Sequence, residues 1–359
     1  MLIGLKILNG NRDSFSFNEL IKKLQNKLNI EEYKEKNFKK YDLIICDNLN
    51  NSIFKFFIDN FSNNKKLLIL PTSFTFDYLN SNKVSKLIIK NIYPGITEHN
   101  NVYRLLNSRS SIKNFENKFI FPLIKFNFNN TLSKEEFFKK YNIPNGYKII
   151  TYYDHRMDRG WIKNSDDKNL KIRYNRVKLN QQILMNFKNI YDNFYKLGYI
   201  IILKLYKGNY SRKPFNTYDI YKYYKDQIIY DMNEDIRCIY KYTSIFMIGS
   251  PSSVMHVPYL YDKKMIYIVK KNSFDWIENR INTHYKKKKN RPNKNNLLCG
   301  PICLYKDLID NPSEIIKNVN EYNFENIDKN NHIILGNSYN VNLDKYCDLL
   351  IDKIKEIIN

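Results

Sequence analysis

The densest set of groups suited to holding a phosphate is Gly249-Ser-Pro-Ser-Ser-Val254, which lies between an apolar run ending at Ile248 and another opening at Met265. A strand, a hydroxyl-rich turn and a short helix opening at Ser250 or Pro251 are predicted here. A helix start leaves about four backbone N–H groups without partners and carries about half a positive charge, so an anion docks there readily. Ser250 is a favoured cap, Pro251 suits the first helical position, and Ser252 and Ser253 add hydroxyl donors. A buried helix capped in the same way and binding nothing is the plainer alternative. Lys204, at the end of an apolar run, offers a cation to the same phosphate, and Tyr206 offers a hydroxyl. With a pKa near 10, a tyrosine is a poor base at neutral pH.

For proton transfer the candidates are Asp154, His155 and Arg156, in the loop after Tyr153, and His99 in the first half of the chain. His155 and Asp154 are candidate bases, Arg156 a further phosphate contact, and Asp47 and Asp77 are weighed with His99 as first-half bases. Each also has an ordinary reading as a solvated loop residue, and His256 reads as a packing residue. No Asp-x-Asp and no His/Cys cluster is present to hold a metal. Cys299 and Cys303, four apart, have no second pair nearby.

These residues need strands and helices to present them. In the first half, strands are predicted at Leu2 to Leu8, Tyr41 to Asp47, Lys66 to Pro71, Val102 to Leu106 and Phe119 to Ile124, with a further run at Leu87 to Ile89. A helix capped by Ser16 and Glu19 carries Leu20, Ile21, Leu24 and Leu28, and a second is predicted at Ile53 to Phe61. Residues 126–131 read as a linker. A second series follows: a helix boxed by Ser133 and Glu136, then strands at Tyr147 to Tyr153, Tyr199 to Leu205, Gln227 to Tyr230, Ser244 to Ile248 and Met265 to Val269. Its helices are predicted at Ile172 to Leu197, at Glu234 to Tyr242 and after Asn311-Pro312, while residues 272–296 are a polar, basic insertion. Alternating strands and helices imply parallel sheets covered on both faces, with ligands at the strands' carboxyl ends. The expected layout is an α/β protein of two Rossmann-like domains, residues 1–130 and 131–341, whose sheets face a cleft. A final helix over residues 342–359 is expected to return to the first domain.

The net charge of +23 raises nucleic acid as a partner, but Lys and Arg are scattered through all segments apart from Lys286 to Lys289. Abundant Lys, Asn, Ile and Tyr, with only 10 Gly and 10 Pro, is what AT-rich codons write, so the charge reflects composition and nucleic acid is not the expected partner. A broadly positive field still favours anionic substrates and a peripheral contact with an anionic membrane surface. Five cysteines without a paired framework fit a reduced, cytoplasmic protein. No export pattern opens the chain and no run reaches 18 apolar residues, so no membrane span is expected.

In order and spacing, residues 133–358 resemble the carboxyl-terminal domain of the CDP-glycerol glycerophosphotransferase family of GT-B-like transferases. The resemblance is carried by Ile149-Ile-Thr-Tyr-Tyr-Asp-His-Arg156, Leu203-Lys-Leu-Tyr-Lys207, Gly249-Ser-Pro-Ser-Ser-Val254, Cys299-Gly-Pro301 leading to Asp307-Leu-Ile309, and Gly336-Asn-Ser before the last helix. It implies a donor-diphosphate site at Ser250, Ser252 and Ser253, with Lys204 as a nearby cation. Three positions depart from the family pattern. Tyr206 stands where the family has a histidine, the family's first-domain His-Gly turn has no counterpart after Leu70, and Val257 stands where an acidic residue would grip a ribose.

The expected function is therefore transfer of a sugar from a nucleotide-diphosphate donor to a hydroxyl of a glycan or lipid-linked acceptor, without a cofactor or an essential metal. CDP-alditol phosphotransfer is the alternative within enzymes. A catalytically inactive nucleotide- or glycan-binding relic is the alternative outside them.

Overall fold

The computed structural model describes residues 1–6, 14–46, 65–70, 102–106, 117–153, 179, 182–183, 185–204, 227–231, 234–249, 256–269, 298–323 and 340–359. The chain divides into two compact units, Met1–Asn127 with Lys329–Asn359, and Phe128–Asp328.

The first unit is built on strands β1 (Ile3–Lys6), β2 (Ile30–Glu32), β3 (Leu43–Cys46), β4 (Lys66–Ile69), β5 (Val102–Leu106) and β6 (Asn117–Ile120). All pair in parallel, in the order β2-β1-β3-β4-β5-β6. A parallel sheet covered on both faces needs apolar residues at every position, and β3 reads Leu-Ile-Ile-Cys with all four buried. Leu43, Ile45 and Leu68 face one core, under helix α1 (Ser14–Gln25), which contributes Leu20 and Leu24. By strand alternation Ile44, Cys46, Leu67 and Ile69 point to the opposite face, and they too are buried. Helix α1 opens three residues earlier than the Ser16–Glu19 capping box implies, so Ser16 falls inside it. The predicted strand over 119–124 is divided: β6 ends at Ile120, and β7 (Leu123–Ile124) begins after Phe121-Pro122 and pairs instead with β14 (Asn340–Val341). Proline lacks the N–H that continuing the ladder requires.

The second unit opens with α2 (Lys134–Lys140), held by the Ser133–Glu136 capping box: Glu136 N–H donates to Ser133 Oγ and Ser133 N–H to Glu136 Oε2. Its strands are β8 (Lys148–Tyr153), β9 (Tyr199–Lys204), β10 (Ile228–Ile229), β11 (Thr243–Ile248), β12 (Lys264–Val269) and β13 (Ile302–Leu304). They too are all parallel, in the order β10-β9-β8-β11-β12-β13. Helices α3 (Phe187–Lys196), α4 (Ile236–Tyr242), α5 (His256–Leu260), α6 (Asp307–Asp310) and α7 (Pro312–Glu321) accompany them. One face of the sheet, with Ile150, Tyr152, Ile201, Leu203 and Met247, is packed by Phe187, Ile190 and Phe194 of α3, Leu308 of α6 and Ile315 of α7. Strand β13 was not anticipated from sequence, whereas α6 falls on the Asp307-Leu-Ile309 position that the resemblance carries. Pro312 does open α7, but Asn311 makes no side-chain cap there.

Helix α8 (Leu343–Ile358) closes the chain and belongs to the first unit. Asn342 caps it by accepting from Lys345 N–H, and Leu343, Tyr346, Cys347, Leu350, Ile351, Ile354 and Ile357 form its buried stripe at helical spacing. Among the described residues no helix is long and apolar enough to cross a membrane.

Candidate functional site

In the second sheet the chain runs from β8 outward to β9 and β10, then returns to β11 on the other side of β8. Connections leave β8 and β11 in opposite directions, and the crevice outside their carboxyl ends is where open α/β sheets bind ligands. The last residues of the three central strands form one row: Lys204 pairs with Tyr153, and Tyr153 with Ile248. With strands about 4.8 Å apart, Lys204 stands one strand spacing from Tyr153 and two from Ile248.

The row also has a defined face. Tyr152, Leu203 and Met247 enter the α3-side core, so Tyr153, Lys204 and Ile248 point to the other side. There the Tyr153 ring lies 5.9 Å from that of Phe246. Deeper in the sheet, Thr151 and Thr243 share a buried hydroxyl–hydroxyl hydrogen bond of 2.6 Å, which ties β8 to the start of β11. Gly249, which bends away directly after β11, is itself buried.

Of the residues singled out from sequence, Lys204 is described and sits in this row, half-buried at the end of β9. Asp154, His155, Arg156, Tyr206, Ser250, Ser252, Ser253 and His99 lie outside the described residues, as do Asp47 and Asp77. Asp154 follows Tyr153 directly, Tyr206 comes two residues after Lys204, and Ser250 follows Gly249. Three strands that end side by side thus continue in sequence into the three segments carrying the candidate groups. Tyr153 was missed in the sequence reading; its only signal was its place as the last apolar residue before Asp154. The helix start sought at Ser250 or Pro251 also lies outside the described residues, whereas α5 carries His256 and runs two residues past Pro258.

At the sheet's amino edge the cations are engaged elsewhere. Lys264 Nζ donates to the Asn320 carbonyl at 2.7 Å and Lys263 Nζ to that of Lys241 at 3.2 Å. Burial holds both lysines below the ordinary lysine range, and Lys148 adds repulsion on Lys264.

The Cys299-Gly-Pro301 segment has a structural explanation. A Cβ on Gly300 would lie 1.7 Å from the Met265 carbonyl oxygen. Only glycine lets this backbone lie flat on β12, where Met265 N–H donates to Cys299 and Tyr267 N–H to Pro301. Cys299 is fully buried, and desolvation pushes its thiol up to about 12, so it is not a nucleophile at neutral pH. Among the described residues no group of three His, Cys, Asp or Glu side chains is placed to hold a metal ion.

No protein-family model and no curated protein matches the chain. Solved structures do. The wall teichoic acid polymerase TagF superposes with a TM-score of 0.58 at 15% identity, over 99% of this chain and 89% of that one. The fold is of the GT-B type. MnaA of S. aureus, solved with UDP, gives 0.54 at 10% identity over 100% and 96% of the two chains. A putative UDP-N-acetylglucosamine 2-epimerase from Listeria monocytogenes gives 0.54 at 9% over 99% and 95%. At such identities the likeness is one of architecture.

Proposed function

We propose that the protein is a GT-B-type transferase that moves a sugar from a nucleoside-diphosphate donor to a hydroxyl of a glycan or lipid-linked acceptor. The observation that carries this reading is the row Lys204–Tyr153–Ile248 at the switch point of the second sheet, with candidate groups following in sequence after every one of its strands. In this reading Lys204, Arg156, Tyr206 and the hydroxyls and N–H groups of Ser250, Ser252 and Ser253 hold the diphosphate. The acceptor oxygen attacks the anomeric carbon, the bond from that carbon to the diphosphate oxygen breaks, and the nucleoside diphosphate leaves with the electron pair. Fixed positive charge and aimed donors stabilise that leaving group without reorganisation, so protein cations take the place of an essential metal. The acceptor's proton goes to a base, for which His155, Asp154 and His99 are the candidates.

CDP-alditol phosphotransfer is the second reading. It is favoured by the motif order over residues 133–358 and by the superposition on TagF, a variant of which was solved after a soak with CDPG. In that case the acceptor hydroxyl attacks the alditol-bearing phosphorus and CMP leaves. The fold does not choose between these chemistries, because it is shared with a protein named as an epimerase.

A thermal-shift series against UDP-, GDP- and CDP-linked donors tests the donor site, since a ligand bound only by the folded state raises the melting temperature. Lys204→Ala should weaken nucleotide affinity about 10-fold or more, the worth of one charge-assisted hydrogen bond. The triple replacement of Lys204, Ser252 and Ser253 by Ala should abolish binding. If no nucleotide diphosphate shifts the wild type at millimolar concentration, the donor-site reading fails. Release of CMP rather than a nucleoside diphosphate in a turnover assay selects the phosphotransfer reading, and inertness toward every donor that binds selects the non-catalytic one.

A further inference from the structure

The first sheet has its own switch point. Its chain runs from β1 to β2 on one side and then crosses to β3 on the other, so the crevice lies beyond the carboxyl ends of β1 and β3. The residue at that end of β1 is Lys6, half-buried, and its strand partner across the switch is Cys46, fully buried. Extending the β1–β2 register by one residue sets Tyr33 beside Lys6, and Tyr33 N–H donates to the Leu5 carbonyl at 2.9 Å.

Lys6 and Tyr33 share a face of the sheet. Leu5 enters the core under α1, so Lys6 points to the opposite side, together with Gly4. On that side the Tyr41 ring lies over Gly4, where a Cβ would come within 3.0 Å of it, and the Tyr33 ring lies 5.6 Å from the Tyr41 ring. These two touching tyrosines differ in one respect. The Tyr41 hydroxyl donates to Glu31 Oε1 at 2.8 Å and accepts from Lys34 N–H at 3.1 Å. The Tyr33 hydroxyl is buried, on a residue only 4% exposed, and has no hydrogen-bond partner among the described residues.

A buried hydroxyl without a partner is uncommon in native proteins and calls for a reason. Desolvation pushes the Tyr33 hydroxyl up to about 12, so it keeps its proton at neutral pH and is a donor in search of an acceptor. Its neighbour in the extended β1–β2 register is Lys6. Among the described residues no carboxylate is within ion-pair distance of Lys6. A protonated donor after β2 and a cation at the end of β1, register neighbours on one face of the sheet, make a recognition set for an oxyanion. We propose that the carboxyl end of the first sheet is an oxyanion-binding site, built from Lys6 and Tyr33, that takes a phosphate or carboxylate group carried by the acceptor. The acceptor role rests on the transferase reading given above; the anion site itself does not.

The experiment titrates inorganic phosphate into the full chain by thermal shift and calorimetry, in a Lys204→Ala background that weakens phosphate binding at the second sheet. Lys6→Ala should lower phosphate affinity by about 10-fold or more and Lys6→Arg should restore most of it. Tyr33→Phe should leave the ligand-free melting temperature equal or higher, because it removes an unsatisfied buried hydroxyl, yet should reduce the gain from phosphate. Unchanged phosphate affinity in Lys6→Ala and Tyr33→Phe overturns the site, and so does a ligand-free protein destabilised by Tyr33→Phe, which would give the hydroxyl a structural partner. Titration of UDP, GDP and CDP into the wild type separates the two readings. Nucleotide binding with phosphate affinity indifferent to Lys6 and Tyr33 sinks the oxyanion site alone. Lys6-dependent phosphate binding without any nucleotide binding sinks the donor site alone.

Discussion

The two sheets have the same number of strands, all parallel, but the first crosses its origin after a single neighbour and the second after two. The strand-end lysine follows that difference: Lys6 ends the founding strand of the first sheet, whereas Lys204 ends the neighbour of the founding strand in the second. They differ as much in how their cores are covered. In the second unit the described helices over the main core, α3, α6 and α7, all come from the continuous segment Phe128–Asp328. The first unit covers the corresponding face with α1 and with α8, which arrives from the far end of the chain. One unit is therefore complete within its own stretch of sequence, and the other is completed only when the last sixteen helical residues dock.

The largest expected effect tests that asymmetry. Leu350 is fully buried in α8 against the first unit's core. Leu350→Asp places an unpaired carboxylate there, a change expected to cost more than about 4 kcal/mol. Hydrogen exchange read by mass spectrometry should show β1, β3 and β4 losing protection while β8, β9 and β11 keep theirs. Equal loss in both units would mean that they unfold as one and that the contrast has no thermodynamic content.

The counterpart on the second unit is Gly300→Ala. The added methyl cannot share space with the Met265 carbonyl, so the segment must lift off β12 and give up the hydrogen bonds to Met265 and Tyr267. A destabilisation of about 3 kcal/mol is expected, confined by the same exchange experiment to β12 and β13. A melting curve unchanged from the wild type would show that the close approach of Gly300 is not maintained in solution.

How far the sequence announced these features depended on whether the cause was local. Alternation and apolar runs gave β5 and β9 nearly to the residue, and helical spacing gave α8, because a buried strand or a two-faced helix writes its burial pattern directly into residue type. The Ser133–Glu136 box was legible for the same reason, since both partners lie within one turn. The Ser16–Glu19 box has the same spelling, and yet α1 begins at Ser14; a capping motif does not fix a helix start when the preceding residues can extend the helix. Strand β13 is three residues long and earns its place by pairing with β12, a contact that no window of its own sequence contains. The site was legible in kind through Lys204 and the serine turn. The pairing of Tyr153 with Lys204, and of Lys6 with Cys46 across a switch point, depends on strand order, which local pattern does not encode.

The smallest expected effect concerns how α8 is registered on α1. Lys23 Nζ lies 2.5 Å from Asp344 Oδ1 and Lys27 Nζ 2.7 Å from Asp348 Oδ1, two ion pairs one helical turn apart along the α1–α8 contact. The hydrogen bond from Lys27 holds Asp348 below the ordinary carboxylate range, and the same bond raises Lys27. Because Asp348 is lowered in the folded state, its contribution to stability is present above the unfolded value near 4 and is lost as pH falls through the lowered one. Lys27 is raised, so its contribution holds below the ordinary lysine value and is lost only as pH climbs past it. Both groups are solvent-exposed, and exposed pairs are screened by salt and contribute little. Asp348→Asn should therefore lower the first unit's melting temperature by about a degree or less at pH 7. The difference from wild type should shrink in 1 M salt and fade as the pH drops through the lowered value of Asp348. A deficit of several degrees at low salt that collapses in 1 M salt would mean that the α1–α8 contact is held by its charges. In that case the apolar stripe of Tyr346, Leu350 and Ile354 would be the lesser contributor to closing the first unit.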